Sequence, residues 1–128
     1  MGYKAAVAIE PSSAGLQRFR ESDDSRPLVM AQLLRFSEGG RDRYLQYYAA
    51  VQAILLTSGA QVLYAGECTQ PLLAAEGPAW DAVVIVRYPN RTAYVEMLAD
   101  PGYQAIAHLR RAALREVSML PMDDWPAR

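Results

Sequence analysis

The 128-residue chain contains one cysteine, one histidine and one lysine, Cys68, His108 and Lys4. A lone cysteine excludes an internal disulfide, and one cysteine with one histidine cannot supply the four ligands of a structural zinc site. Charge of either sign is nearly absent as an excess: thirteen basic residues against fourteen acidic ones leave −1. A nucleic-acid surface needs a clustered basic excess to neutralise phosphates, and here the arginines are scattered along the chain. Long apolar runs are missing too. The opening MGYKAAVAIEPSS carries one lysine and an apolar stretch too short for a signal peptide or a membrane span. No glycine-rich phosphate loop, G-x-S-x-G elbow or H-E-x-x-H occurs, which disfavours nucleotide hydrolysis, serine hydrolysis and zinc-protease chemistry. Cys68 has no base adjacent in sequence, so a catalytic thiol is disfavoured as well. The expectation is a soluble, cytoplasmic, bacterial-type domain with no nucleic-acid or membrane partner, no metal and no cofactor.

What is present is an ordinary globular composition, 52% apolar and 21% charged, long enough for one domain with a real core. Residues 1–27 read as an N-terminal extension: a short extended piece at Lys4–Ile9, a helix start at Pro11-Ser12-Ser13 with Leu16 and Phe19 as apolar contacts, and a polar loop to Pro27. Leu28–Phe36 reads as a strand that is apolar on both faces and so must be covered on both. Arg41–Ser58 is the strongest helix, with Tyr44, Tyr47, Tyr48, Val51, Ile54 and Leu55 on one side and Gly59 as its cap. A thinner strip of Leu45, Ala49, Gln52, Ala53 and Leu56 lies opposite, and it predicts a second contact, with the extension or a partner chain. Ala60–Glu67 and Trp80–Tyr88 read as strands separated by a loop. Asn90 suits the cap of a helix at Arg91–Ala99, which explains Asn90-Arg91-Thr92 better than glycosylation does. After Asp100-Pro101-Gly102, Tyr103–Leu114 reads as a helix burying Ala105, Ile106, Leu109, Ala112 and Ala113. Arg115–Met122 is a fourth strand, confined by Pro121 to an edge or its own end. Residues 123–128 are a tail.

The order over residues 28–122 is β-α-β-β-α-β, an α+β, ferredoxin-like arrangement with a four-stranded antiparallel sheet. Both helices fall on one face of that sheet. The other face is apolar and uncovered within one copy, which predicts a homodimer with sheet facing sheet. The segments VMAQLLRF, GGRDRYLQYYAAV, WDAVVIVRYPNRTAYVEML and DPGYQAIAHLRRAAL resemble an uncharacterised family of the dimeric α/β-barrel superfamily. The resemblance covers roughly residues 28–121. It implies a ferredoxin-like protomer, sheet-to-sheet dimerisation and a ligand cavity near the sheet–helix interface. The wider superfamily includes cofactor-free monooxygenases, decarboxylases, isomerases, haem-handling enzymes and stress proteins. Gln32 stands where relatives often have asparagine.

Several residues could carry chemistry, each with a plainer alternative. His108 is the sole imidazole and thus the sole candidate for a histidine base or axial haem ligand; otherwise it is half-exposed and bonded to a neighbour. Tyr44 could move a proton and Tyr48 could line a pocket, or both pack in the core with hydroxyls at its rim. Gln32 in mid-strand needs a polar partner, since a buried unpaired polar group costs roughly 1–3 kcal/mol. Arg35 and Arg87 could hold a carboxylate or enolate, or simply reach solvent or Glu67 and Asp81 from strand ends. Trp80 and Tyr103 could close a pocket or anchor their elements. Two functions of different class follow. One is a cofactor-free enzyme of monooxygenase, isomerase or decarboxylase type acting on an apolar oxygenated metabolite. The other is a non-catalytic ligand-binding or stress-related dimer.

Overall fold

In the computed structural model, residues 8–77 and 79–126 are described; the expected extended piece at Lys4–Ile9 lies largely outside them. The sheet is built on β1, Leu28–Phe36, which takes the centre with β3, Ala82–Tyr88. Outside them lie β2, Gln61–Glu67, next to β3, and β4, Leu114–Met122, next to β1, giving the order β2-β3-β1-β4. All three pairings are antiparallel. The two strands that are apolar on both faces occupy the two central positions, because they have most to gain from neighbours on every side. Pro121 lies opposite Met30 on the edge strand, where a missing backbone donor leaves no gap in a ladder.

The helices are α1, Ser13–Glu21; α2, Gly40–Thr57; α3, Arg91–Ala99; and α4, Pro101–Ala113. Their ends follow local chemistry. The Ser12 hydroxyl accepts from Gly15 N at 3.0 Å, and the Asn90 side chain accepts from Ala93 N at 2.8 Å. Gly59, at φ +75°, ends α2 in the left-handed conformation that suits glycine. The Asp100-Pro101-Gly102 sequence both ends α3 and starts α4. Asp100 caps α4, accepting from Gly102 N at 2.9 Å, and Pro101 fills the first turn, where its missing N–H costs nothing. The helix therefore begins two residues earlier than the sequence pattern suggests. Gly40 opens α2 against the end of α4: a Cβ there would sit 2.1 Å from the Ala113 carbonyl oxygen.

The helix-facing side of the sheet holds the core. Leu28, Met30 and Leu34 of β1 lie opposite Tyr88, Val86 and Ala82 of β3, and Tyr44, Tyr47, Val51 and Leu55 of α2 pack above them. The second strip of α2 is not covered by the described part of the extension. Leu45, Ala49, Gln52, Ala53 and Leu56 are exposed, and α1 packs on α3 instead. That docking is specific: Phe19 meets Tyr94 edge-on at 5.9 Å, and the Asp23 carboxylate accepts from the backbone N–H and hydroxyl of Thr92. Those bonds, the Thr92 hydroxyl first, hold the Asp23 carboxyl below its usual range. Ile9, Leu16 and Phe19 all pack against the core, so the segment before β1 adds to the wall of the domain.

The opposite face carries Val29, Ala31 and Leu33 of β1 beside Val83 and Ile85 of β3, in register. Tyr64 and Leu120 extend it to both edges, and these two are exposed. No helix of the described residues packs there, as the element order predicts.

Candidate ligand-binding site

An open cavity of about 270 Å³ lies between the sheet and the helices. Gln32, Tyr88 and Met119 form its floor from three different strands. Tyr47 of α2, Tyr94 of α3, and Tyr103 and Arg110 of α4 form its walls, and Glu10, Pro11 and Leu16 bound it on the outer side. Its polar centre is a contact between β1 and α4. Arg110 is only 6% exposed. Its guanidinium donates through Nη2 to Gln32 Oε1 at 3.2 Å and through Nη1 to the Ile9 carbonyl at 2.8 Å. The mid-strand glutamine thus finds the partner that its burial requires, and that partner is a cation.

The hydroxyls of Tyr47 and Tyr103 lie 3.1 Å apart in the same cavity, with their rings edge-to-face. Tyr88 packs edge-on against Tyr94 at 5.2 Å. Its hydroxyl makes no hydrogen bond to a described residue, although Tyr88 is among the most buried residues. Burial pushes the Tyr47 and Tyr88 phenols well above their ordinary range, and neighbouring phenols add to the effect. Burial likewise raises Tyr94, with the Arg110 charge opposing it. At neutral pH these are neutral groups that donate hydrogen bonds and do not take up protons. The carboxylate lining the cavity, Glu10, is half-exposed and pairs with Arg111 at 3.2 Å.

The residues singled out from sequence divide among several places. Gln32 and Tyr103 enter this cavity. Tyr44 and Tyr48 line a second cleft, between α2 and β2, with Arg41 and Glu67 at its mouth. Burial pushes the Tyr44 phenol up to about 12. Arg35 stacks on Trp80 with 4.0 Å from guanidinium to ring, pairs with Glu116 on the adjacent strand, and donates to the Ala79 carbonyl. That arrangement clasps the loop before β3. Beside it the Asp81 carboxylate accepts from Phe36 N at 2.8 Å. Arg87 is exposed on the open face, near Leu63 and Met122. His108 is exposed on the outer side of α4, between the equally exposed Gln104 and Ala112.

The buried stripe of α4 is Tyr103, Ala107, Arg110 and Ala113. Ile106 and Leu109 are half-buried at its border, whereas Ala105 and Ala112 face solvent. The stripe expected from apolar residues alone leaves out Arg110 and is rotated away from the true one. The signal was nonetheless available. Arg110 follows Tyr103 and Ala107 at i+7 and i+3, the spacing of one helical face. Among the described residues no three metal-ligating side chains gather, and no helix is long and apolar enough to cross a membrane.

A four-stranded antiparallel sheet with its helices on one side, in this order, is the ferredoxin-like α+β fold. Within it, residues 34–122 match the model of a family described as Domain of unknown function (DUF1330), and the chain belongs to that family. Among solved structures it is similar to a protein of unknown function from Rhodopseudomonas palustris, at 25% identity and a TM-score of 0.84 over 95% of this chain and 100% of that one. An Arabidopsis thaliana protein shares the fold at 11% identity and a TM-score of 0.61, over 79% of this chain and 98% of that one. So does a candidate antibiotic biosynthesis monooxygenase from Bacteriodes thetaiotaomicron, at 15% and 0.51, over 77% and 90%. No curated protein matches the sequence.

Proposed function

We propose that the protein is a homodimer whose protomers each bind a small, largely apolar, oxygenated metabolite between sheet and helices. The observation that carries this reading is the cavity itself. It brings buried polar groups from β1, β3, α2 and α4 to one space, beside the apolar side chains of Leu16, Val95, Leu98 and Met119. A pocket with an apolar wall and a few convergent polar groups is the usual form of a small-molecule site. Native mass spectrometry of the purified protein tests it: a small organic adduct, released on denaturation, is expected. A protein that stays free of ligand and binds nothing from a metabolite extract would overturn it.

The homodimer rests on the open face of the sheet. Val29, Leu33, Val83 and Ile85 form a contiguous apolar surface that no helix of the described residues covers, and such surfaces mark association sites. Analytical ultracentrifugation should give twice the protomer mass, and Ile85→Glu should give the single mass with the helical signal unchanged. A wild type that sediments as one copy at micromolar concentration removes the dimer from this reading.

A cofactor-free enzyme of monooxygenase, isomerase or decarboxylase type is the second reading, favoured by Arg110 standing beside Gln32, where the two could polarise a carbonyl or enolate. The phenols, held protonated, would serve as hydrogen-bond donors in such chemistry rather than as bases. The binding role needs none of these steps, and the placement of His108 away from the cavity supports it.

A further inference from the structure

We infer that the cavity ligand is a monocarboxylate, its carboxylate held by Arg110 and its apolar body lying toward α3. This rests on the small-molecule pocket proposed above and names the chemistry of its occupant. A guanidinium has five N–H donors. Arg110 uses one N–H on each terminal nitrogen, toward Ile9 O and Gln32 Oε1. The Nε–H and a second N–H on each terminal nitrogen have no partner among the described residues. Both acceptors in use are neutral, and no described carboxylate pairs with this arginine, which lies deeper than any arginine in an ion pair of the described residues. A cation withdrawn from water without a counter-charge is costly, and an anion that enters the same space relieves that cost.

A planar carboxylate fits the remaining donors, since guanidinium and carboxylate form parallel N–H···O bonds. Tyr88 lines the same cavity, and its hydroxyl, which makes no hydrogen bond to a described residue, supplies a further donor. Protonated phenols add no negative charge to oppose an anion, and the Glu10 carboxylate on the outer side of the cavity is paired with Arg111. A phosphate dianion suits the site less well, because among the described residues a single arginine and no lysine line it, and the sequence has no glycine-rich phosphate loop. The apolar end is supplied by Val95, Met97 and Leu98 of α3 with Met119 of β4. The volume of about 270 Å³ equals roughly nine waters at ~30 Å³ each, enough for a ligand of about ten non-hydrogen atoms.

Three acid–amide pairs test the assignment by titration calorimetry at low salt: benzoate and benzamide, phenylacetate and phenylacetamide, 4-methylpentanoate and its amide. At least one acid should bind tenfold or more tightly than its amide. Tyr88→Phe, which keeps the ring, should weaken that acid severalfold. Arg110→Met should abolish the preference for the acid. If Arg110→Met does not fold, the Tyr88→Phe result and the acid–amide ratio in the wild type decide alone. Amides that bind as tightly as acids, or amides binding while no acid does, overturn the carboxylate and leave the pocket standing. Failure of all six compounds to bind removes both.

Discussion

The Tyr47–Tyr103 contact is the most direct probe of whether the cavity wall is rigid. The hydroxyls are 3.1 Å apart and both residues are buried. Removing one hydroxyl, as Tyr47→Phe or Tyr103→Phe, deletes the hydrogen bond but keeps the edge-to-face ring contact, whose centroids are 6.3 Å apart. A buried hydrogen bond between neutral groups contributes about 0.5–1.5 kcal/mol net, and the orphaned partner raises the cost toward ~1–3 kcal/mol if it stays dry. Because both side chains line the cavity, water can reach the survivor, so each single change should cost about 1 kcal/mol. In a domain of this size that lowers Tm by roughly 3–6 °C. The double change removes both polar atoms, leaves no orphan, and should cost less than the sum of the singles by about 1 kcal/mol. Urea unfolding followed by circular dichroism measures all four proteins, at one fixed protomer concentration because association shifts apparent stability. The urea slope should not change, since the surface exposed on unfolding is the same. Strictly additive costs, or singles indistinguishable from wild type, would show that the two hydroxyls do not interact and that this wall is not held together by them.

Other outcomes follow from the same packing. Burial raises the phenols of Tyr44, Tyr47, Tyr88 and Tyr94. The unfolded chain therefore loses those protons first, and stability should be intact below about pH 10 and fall as pH rises above it, by up to ~1.4 kcal/mol per pH unit per phenol. Urea midpoints measured from pH 8 to 12 check the sign, and a flat profile through pH 11 contradicts it. Leu34, 0% exposed at the centre of the core, should cost about 2–5 kcal/mol as Leu34→Ala; a loss below 1 kcal/mol by chemical denaturation would mean that the site collapses around the gap. His108→Ala should leave ligand affinity within twofold of wild type, because the imidazole is exposed away from the cavity; a tenfold loss in calorimetry would return histidine to the site.

Element type and order were legible because they depend on local patterns. The nine residues of β1 and the end of α2 at Gly59 follow from apolar periodicity and from glycine's tolerance of positive φ. The caps at Ser12 and Asn90 follow from side chains that accept backbone N–H groups three residues on. Asp100-Pro101-Gly102 was harder, since the same residues that stop one helix also start the next. The site was only half legible. Gln32 stood out as a polar residue in a strand that otherwise wants to be dry, and its burial bears that out. Arg110 did not, since charge usually marks the outward face of a helix. Arg35 drew attention for the same reason as Gln32 but meets Glu116 across β1 and β4, a contact between residues 81 positions apart.

The sequence by itself determined which segments are strands and which are helices, the α+β order that makes a ferredoxin-like sheet, and the apolar character of the sheet's second face. Each depends on side-chain period and turn chemistry within a few residues. Tertiary structure alone decided that Arg110 turns inward, that Tyr44 and Tyr103 belong to different cavities, and that His108 points away. The rotation of α4 about its axis is set by what can pack against β1 and α2: the small Ala107 and Ala113 must face them. Arg110, on the same stripe, is carried inside with them, where Gln32 and the Ile9 carbonyl receive its charge.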